Sequence, residues 1–272
     1  MQTRMMMKNW RVLTIFLAVG LYVVGWPMAS AELTAKVVLV QNYEPPPQAE
    51  FPDIQKATPA PETLTQQDRD RLESLVPLLE GRQELWAMGE FVHYGKHSVP
   101  FVVKALTMPG ARIRYNAIET LSMIKDPSSV SELLNVAKDP NEISRVRSHA
   151  LRVATRLDST KVLPAIKEMA KDENSTVRLT AAFEARSVRQ KEILPILIGI
   201  IADPEEFVSV TARESFWRLT GFSGSRRHNW EASTLKDRKE WSQEWRTWLK
   251  ENESRFGPPA NPQPQQSPTP SS

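Results

Sequence analysis

"STVRLTAAFEARSV", residues 175–188, sets Val177, Ala181, Ala185 and Val188 at offsets −4, 0, +4 and +7 from Ala181. That spacing traces one apolar face of a 3.6-residue helix. Nearly the same words stand at 144–157, "SRVRSHALRVATRL", and at 111–124, "ARIRYNAIETLSMI". Anchored on Ala87, Ala117, Ala150, Ala181 and Ala212, the pattern recurs at spacings of 30, 33, 31 and 31. The −4 slot holds Gln83, Ile113, Val146, Val177 and Val208, and the +4 slot holds Phe91, Leu121, Ala154, Ala185 and Phe216. A unit this short cannot bury its apolar face alone, so copies of it must stack.

A further helix is expected before each of the last four copies. It opens at Val99, Val130, Leu163 and Leu194, followed by Pro100, Ser131, Pro164 and Pro195. Proline is tolerated in a first helical turn, where its missing N–H has no partner to lose. The turns inside each pair, "MPG" (108–110), "DPNE" (139–142), "DENS" (172–175) and "DPEE" (203–206), carry Asp and Ser suited to N-caps. The pattern therefore predicts an all-α protein, an α-solenoid of about five helix pairs over residues 64–256. "DRDRLESLVPLLEG" (68–81) is helical but out of phase with the repeat. In "DRKEWSQEWRTWLKENE" (237–253), Trp241, Trp245, Trp248 and Leu249 share one face, expected to cap the last repeat as a hydrophobic lid.

These features resemble the HEAT-repeat family, in its short bacterial form also called PBS-lyase HEAT-like. The resemblance covers about residues 82–221. It is carried by the proline in the first helix, the turn Asp, and "V-R-x-x-A" opening the second, seen at Ile113–Ala117, Val146–Ala150 and Val177–Ala181. It implies that Arg114, Arg147 and Arg178 pair with turn Asp residues in a ladder; Glu84 and Ser209 hold that slot in the outer copies. It also implies that the second helices line a concave binding surface. On that surface Trp86, Tyr115, Glu119, His149, Arg152, Phe183, Arg186 and Trp217 are the expected partner contacts, since aromatics beside arginine have the composition of interface hot spots. A Trp-rich last helix after "LTG" is similar to those of secreted bacterial HEAT-like proteins.

Outside the repeats, residues 1–31 read as an export signal: Arg4, Lys8 and Arg11, then the apolar run 12–26, then Ala29-Ser30-Ala31. The alternative is an inner-membrane anchor, since residues 12–31 are uncharged and long enough to span a bilayer. Residues 32–63 are a Pro-rich linker, and residues 257–272 a Pro/Gln/Ser tail expected to be disordered. Within the linker "KVVLV" (36–40) could pair as a strand but has no evident partner. Without the leader, 35 basic side chains fall to 32 and equal the 32 acidic ones. That balance argues against a general nucleic-acid binder, which needs a basic surface. The late basic run (Arg218, Arg226, Arg227, Lys236, Arg238, Lys239) is expected to be a solvated loop. The chain has no cysteine, which excludes disulfides, thiolate metal sites, a lipidated cysteine and covalently attached haem.

Little in the sequence points to catalysis. His93 and His97 stand four apart, but Gly95 and Ser98 are expected to end the helix between them, and no carboxylate sits at a ligand spacing. Phosphate loops, nucleophile elbows and dinucleotide fingerprints are missing. The His-Glu pairs by which some HEAT-like hydroxylases hold iron are also missing. The expected function is a non-enzymatic, cofactor-free and metal-free scaffold, exported to the periplasm or cell envelope. It would bind another protein or an extended peptide, without nucleic acid, touching membrane only through an uncleaved leader. The alternatives are a structural accessory subunit that binds through the Trp-rich end, and a bilin-lyase-like or metal-dependent enzyme.

Overall fold

Prolines, turn aspartates and the alanine period place the helices. The computed structural model describes residues 63–225 and 228–256. The leader, nearly all of the linker with "KVVLV", Arg226 and Arg227 of the basic run, and the tail lie outside the described residues. Helix and turn make up the described chain, with no strand in it. Five pairs follow in order: α1 (Gln66–Leu75) with α2 (Glu84–Tyr94), α3 (Val99–Ala105) with α4 (Ala111–Ile124), α5 (Val130–Lys138) with α6 (Ser144–Leu157), α7 (Leu163–Met169) with α8 (Ser175–Glu184), and α9 (Ile193–Ile201) with α10 (Glu206–Thr220). A last helix, α11 (Leu235–Glu251), closes the array against α9. Among the described residues no helix is long and apolar enough to cross a membrane.

The out-of-phase stretch 68–81 is the first helix of the first pair. Pro77 cannot continue α1, so the chain tightens into a 3-10 turn over Val76–Leu79. Leu72, Leu75 and Leu79 are nonetheless fully buried. Pro100 and Pro164 fall in the first turns of α3 and α7, with their rings outward. The opening stretch departs from one continuous helix. α8 stops at Glu184, and Ala185–Ser187 form a 3-10 turn before the extended, fully buried Val188. A 3-10 turn rises further per residue, so Val188 still reaches the core.

Expected caps are corrected in kind. Turn aspartates do not cap the second helices. Asp139, Asp172 and Asp203 instead accept from the backbone N–H two residues on, at 2.9 Å each, and thereby fold the turn itself. Among the second helices only α8 has a side-chain cap, Asn174 accepting from Thr176. Both end helices carry full capping boxes, Thr65 with Asp68 on α1 and Thr234 with Asp237 on α11.

All five anchor alanines have no exposed surface. Small side chains there let each second helix approach its neighbours closely, and α2, α4, α6, α8 and α10 pack in sequence. First helices meet less closely; α7 and α9 leave a groove of about 820 Å³ between them, lined by Leu163, Pro164, Pro195, Ile196 and Gly199 among others. The second helices thus form one closely packed layer, whose solvent side is the inner face, and the first helices a looser one. One continuous core runs from Leu72 to Trp245.

Candidate functional site: the inner face of the second helices

The arginine ladder forms, in a different register from the simple Arg–Asp pairing. Arg114, Arg147 and Arg178 are each the fourth residue of their helices. Each donates back to a carbonyl near its own turn: Arg114 to Met108, Arg147 to Ala137, Arg178 to Asp172 and Glu173. Each then pairs forward with a carboxylate in the next repeat's turn. Arg147 meets Asp172 at 2.5 Å and Arg178 meets Asp203 at 2.6 Å. Arg114 pairs with Glu142, three residues further along the turn than Asp139. Every rung therefore ties two repeats together.

A fourth rung was hidden in the basic run. Arg238 is buried, not solvated, and is likewise the fourth residue of its helix. It donates to the carbonyls of Asp203, Pro204 and Ser233. The signal was legible: "D-R-x-x-W" (237–241) repeats the spacing of "V-R-x-x-A". At the last full repeat Ser209 replaces the arginine and donates to the Ile201 carbonyl at 2.6 Å.

The inner face sorts the eight expected contact residues into a central stripe with Arg186 beside it, an exposed tryptophan at each end, and the stacked pair of half-buried Tyr115 and buried His149. Neighbouring second helices cover both flanks of an interior helix and leave only a central stripe to solvent. Glu119, Arg152 and Phe183 occupy that stripe, and Phe183 is 42% exposed. Arg186 lies over the Phe183 ring, 3.3 Å from its centroid. Trp86 and Trp217, 50% and 47% exposed, occupy flank slots that interior repeats fill with buried His149, Thr180, Ser122 and Thr155 and with half-buried Asn116 and Arg186. They are exposed because each faces an end of the array, where no further second helix covers it. Four helix steps of about 10 Å each separate their helices, so the fold does not join them in one site.

His149 is a correction: it is buried, not a solvent-facing contact. Its ring stacks on Tyr115, centroids 4.4 Å apart, and its Nε2 lies 3.0 Å from Glu119 Oε2 without the angle of a hydrogen bond. Burial holds the imidazole below its ordinary pKa, Glu119 pulling the other way. Glu184 was missed altogether. It is buried three residues after its anchor, where the other second helices carry Glu90, Thr120, Val153 and Ser215, and Glu90 is only half-buried and paired with Arg71. No cation of the described residues reaches ion-pair distance. Burial pushes its carboxyl above the usual value, while Arg152, Arg186 and Arg156 oppose that shift from further off.

The sign of that shift sets a pH dependence. A raised folded pKa means that ionised Glu184 costs the native state stability at neutral pH, and that the cost fades as pH falls through the folded value. Glu184→Gln is therefore expected to raise the urea midpoint at neutral pH, with a gain that shrinks in mild acid. A midpoint unchanged or lowered at neutral pH would contradict the assignment. His149 acts oppositely. Below its ordinary value of 6.5 the unfolded chain takes up a proton that the buried ring resists, and stability falls.

Around the other histidines, His93 ends in α2 while His97 sits in the following 3-10 turn. His228 stacks on Trp241 with centroids 4.3 Å apart. The described residues contain no group of three or more His, Cys, Asp or Glu side chains placed to hold a metal ion. The face of α11 acts as the expected lid: Trp245 is buried among Phe216, Phe222 and Trp230, and Trp248 stacks on Phe222 at 3.9 Å.

Stacked helix pairs, rungs between repeats and an inner face made of second helices define a helical-repeat scaffold, a HEAT-like α-solenoid. Residues 142–216, from the α5–α6 turn into α10, match the family model of HEAT repeats. No curated protein matches the chain.

Proposed function

We propose that the chain is a non-enzymatic scaffold of the cell envelope that holds another protein, or an extended peptide of one, on its inner face. The observation that carries this reading is the central stripe, where half-buried Glu119 and exposed Arg152 and Phe183 stand on successive second helices, with Arg186 stacked on the Phe183 ring from the turn after α8. An exposed aromatic fixed by a guanidinium offers apolar area and charge together at small entropic cost. The short bacterial PBS-lyase type of repeat, the exported location and the non-enzymatic assignment rest on the sequence: the "V-R-x-x-A" repeats, the leader of residues 1–31, and the missing catalytic motifs.

The second reading is an accessory subunit bound end-on. The exposed end tryptophans favour it, since Trp86 and Trp217 stand open at slots that interior repeats bury or half-bury. Affinity capture from detergent-solubilised envelope extract separates the two. The native chain is compared with a Phe183→Ala/Arg186→Ala variant and a Trp86→Ala/Trp217→Ala variant, each checked by circular dichroism. Loss of the retained protein with the first variant alone supports the inner face; loss with the second alone overturns it in favour of the ends. N-terminal sequencing of chain recovered from cells tests the export reading. A start at Glu32 supports cleavage of the leader, and a start at Met1 supports the anchor.

A further inference from the structure

We infer that the inner face of α6 recognises an acidic, extended polypeptide segment through the stripe Arg145, Arg152 and Arg156. This deepens the scaffold reading above and rests on it.

The three arginines stand at 0, +7 and +11 along one helix. At about 100° per residue they fall within about 20° of one line, roughly 16 Å long. α6 is the third of five second helices, so this line crosses the middle of the inner face. Most other arginines of the second helices are paired with acids, and Arg213 instead lies over the Trp230 ring. Arg112 pairs with Glu84, Arg218 with Glu214, and the ladder arginines with turn acids. No carboxylate of the described residues lies at ion-pair distance from Arg145, Arg152 or Arg156.

Two of the three are held in place without being neutralised. The Arg145 guanidinium lies over the Tyr115 ring, 4.9 Å from its centroid, and Arg156 donates to Ser122 Oγ at 3.0 Å. Side chains already ordered lose less entropy when a ligand arrives. At the Arg145 end a pocket of about 390 Å³ opens between α4 and α6, lined by Tyr115, Asn116, Ile143 and Arg145 among others. On the next helix Phe183 and Arg186 extend the surface with one aromatic face and one more guanidinium.

The fitting ligand follows from charge complementarity. Guanidinium groups pair carboxylates in a planar fork. A line of roughly 16 Å matches about five residues of extended chain, whose alternate side chains point to the same side. Carboxylates on alternate positions would meet the stripe, with an apolar residue reaching Phe183. A nucleic acid fits less well, because tight binding to it draws on many phosphate contacts and this stripe is short.

Fluorescence anisotropy on the full chain tests this. The probes are labelled peptides of about ten residues. They are identical except for Glu, Gln or Lys at alternate positions, with Pro and Phe between; a thymidine oligonucleotide of similar length is the fourth probe. The Glu peptide is expected to bind about tenfold more tightly than the Gln peptide, with affinity falling as salt rises. Arg152→Glu/Arg156→Glu, two exposed changes, should reverse the order so that the Lys peptide binds best. Any of three results overturns the inference: equal behaviour of the Glu and Gln peptides, no reversal in a double variant shown to be folded, or binding of the oligonucleotide without the Glu peptide. If the Glu and Gln peptides bind equally and both are lost with Phe183→Ala/Arg186→Ala, the scaffold reading stands and only the acidic preference falls.

Discussion

Trp245→Ala is expected to cost about 3–5 kcal/mol and to unfold the C-terminal end of the array first. Trp245 is 1% exposed and is the largest fully buried side chain of the described chain. Its ring lies 5.0 Å from Phe216, 5.1 Å from Phe222 and 6.0 Å from Trp230, so it joins α10, the loop after it and α11. Collapse around the vacated volume is hindered, because the backbone already rests on the ring. A Cβ on Gly224 would stand 2.8 Å from Trp245 Cζ2, and Gly224 holds φ +84, which suits glycine.

In a stacked array the loss stays local, since each repeat draws its stability from its neighbours. Hydrogen exchange should therefore quicken in α9, α10 and α11 well before α4. Urea denaturation followed by circular dichroism gives the magnitude. Trp248→Ala, which removes a half-buried ring stacked on Phe222, serves as the milder comparison. A Trp245→Ala loss below about 1 kcal/mol, or exchange quickened evenly along the chain, would show that α11 is not the seal of the array.

Arg178→Met is expected to cost about 3 kcal/mol, far more than an exposed ion pair is worth. Arg178 and Asp203 are both largely shielded from water, with side chains 12% and 5% exposed. Removing the guanidinium leaves the Asp203 carboxylate buried with only the Glu205 N–H for company. It also strips a donor from the carbonyls of Asp172 and Glu173. Most of the loss is the cost of that orphaned charge, so Arg178→Met/Asp203→Asn should lose less than the two single changes added together. Because the rung joins the fourth repeat to the fifth, unfolding should separate into two transitions in the variant. Additive losses, or a single change costing only what a surface pair costs, would mean that the ladder is ornament on a fold held by its core.

Sequence and structure agree most closely where the repeat itself carries the information. Alanine at every anchor, apolar residues at all ±4 slots but that of Gln83, and proline in three of the four aligned first turns need no knowledge of neighbours, because helix periodicity is local. Five pairs with a tryptophan lid were legible for that reason. Failures cluster where two repeats meet. The sequence names Arg114, Arg147 and Arg178 but not their partners, since a helix alone does not say which turn its side chain will reach. Arg238 looked like one charge in a basic run, because its burial depends on α11 folding back over Asp203 and Pro204. His149 and Trp86 share a slot in the repeat, yet one is buried and the other exposed.

By itself, then, the sequence determined the helices, their pairing and the stacking of five copies, because hydrophobic period and turn chemistry act over a few residues. Only the tertiary structure decided which flanks the neighbouring helices cover, which rungs reach forward to the next turn, and that Glu184 is buried while Arg145, Arg152 and Arg156 stay open. The reason is physical. Burial, desolvation and ion pairing are properties of the space between repeats, and that space exists only once the repeats have packed.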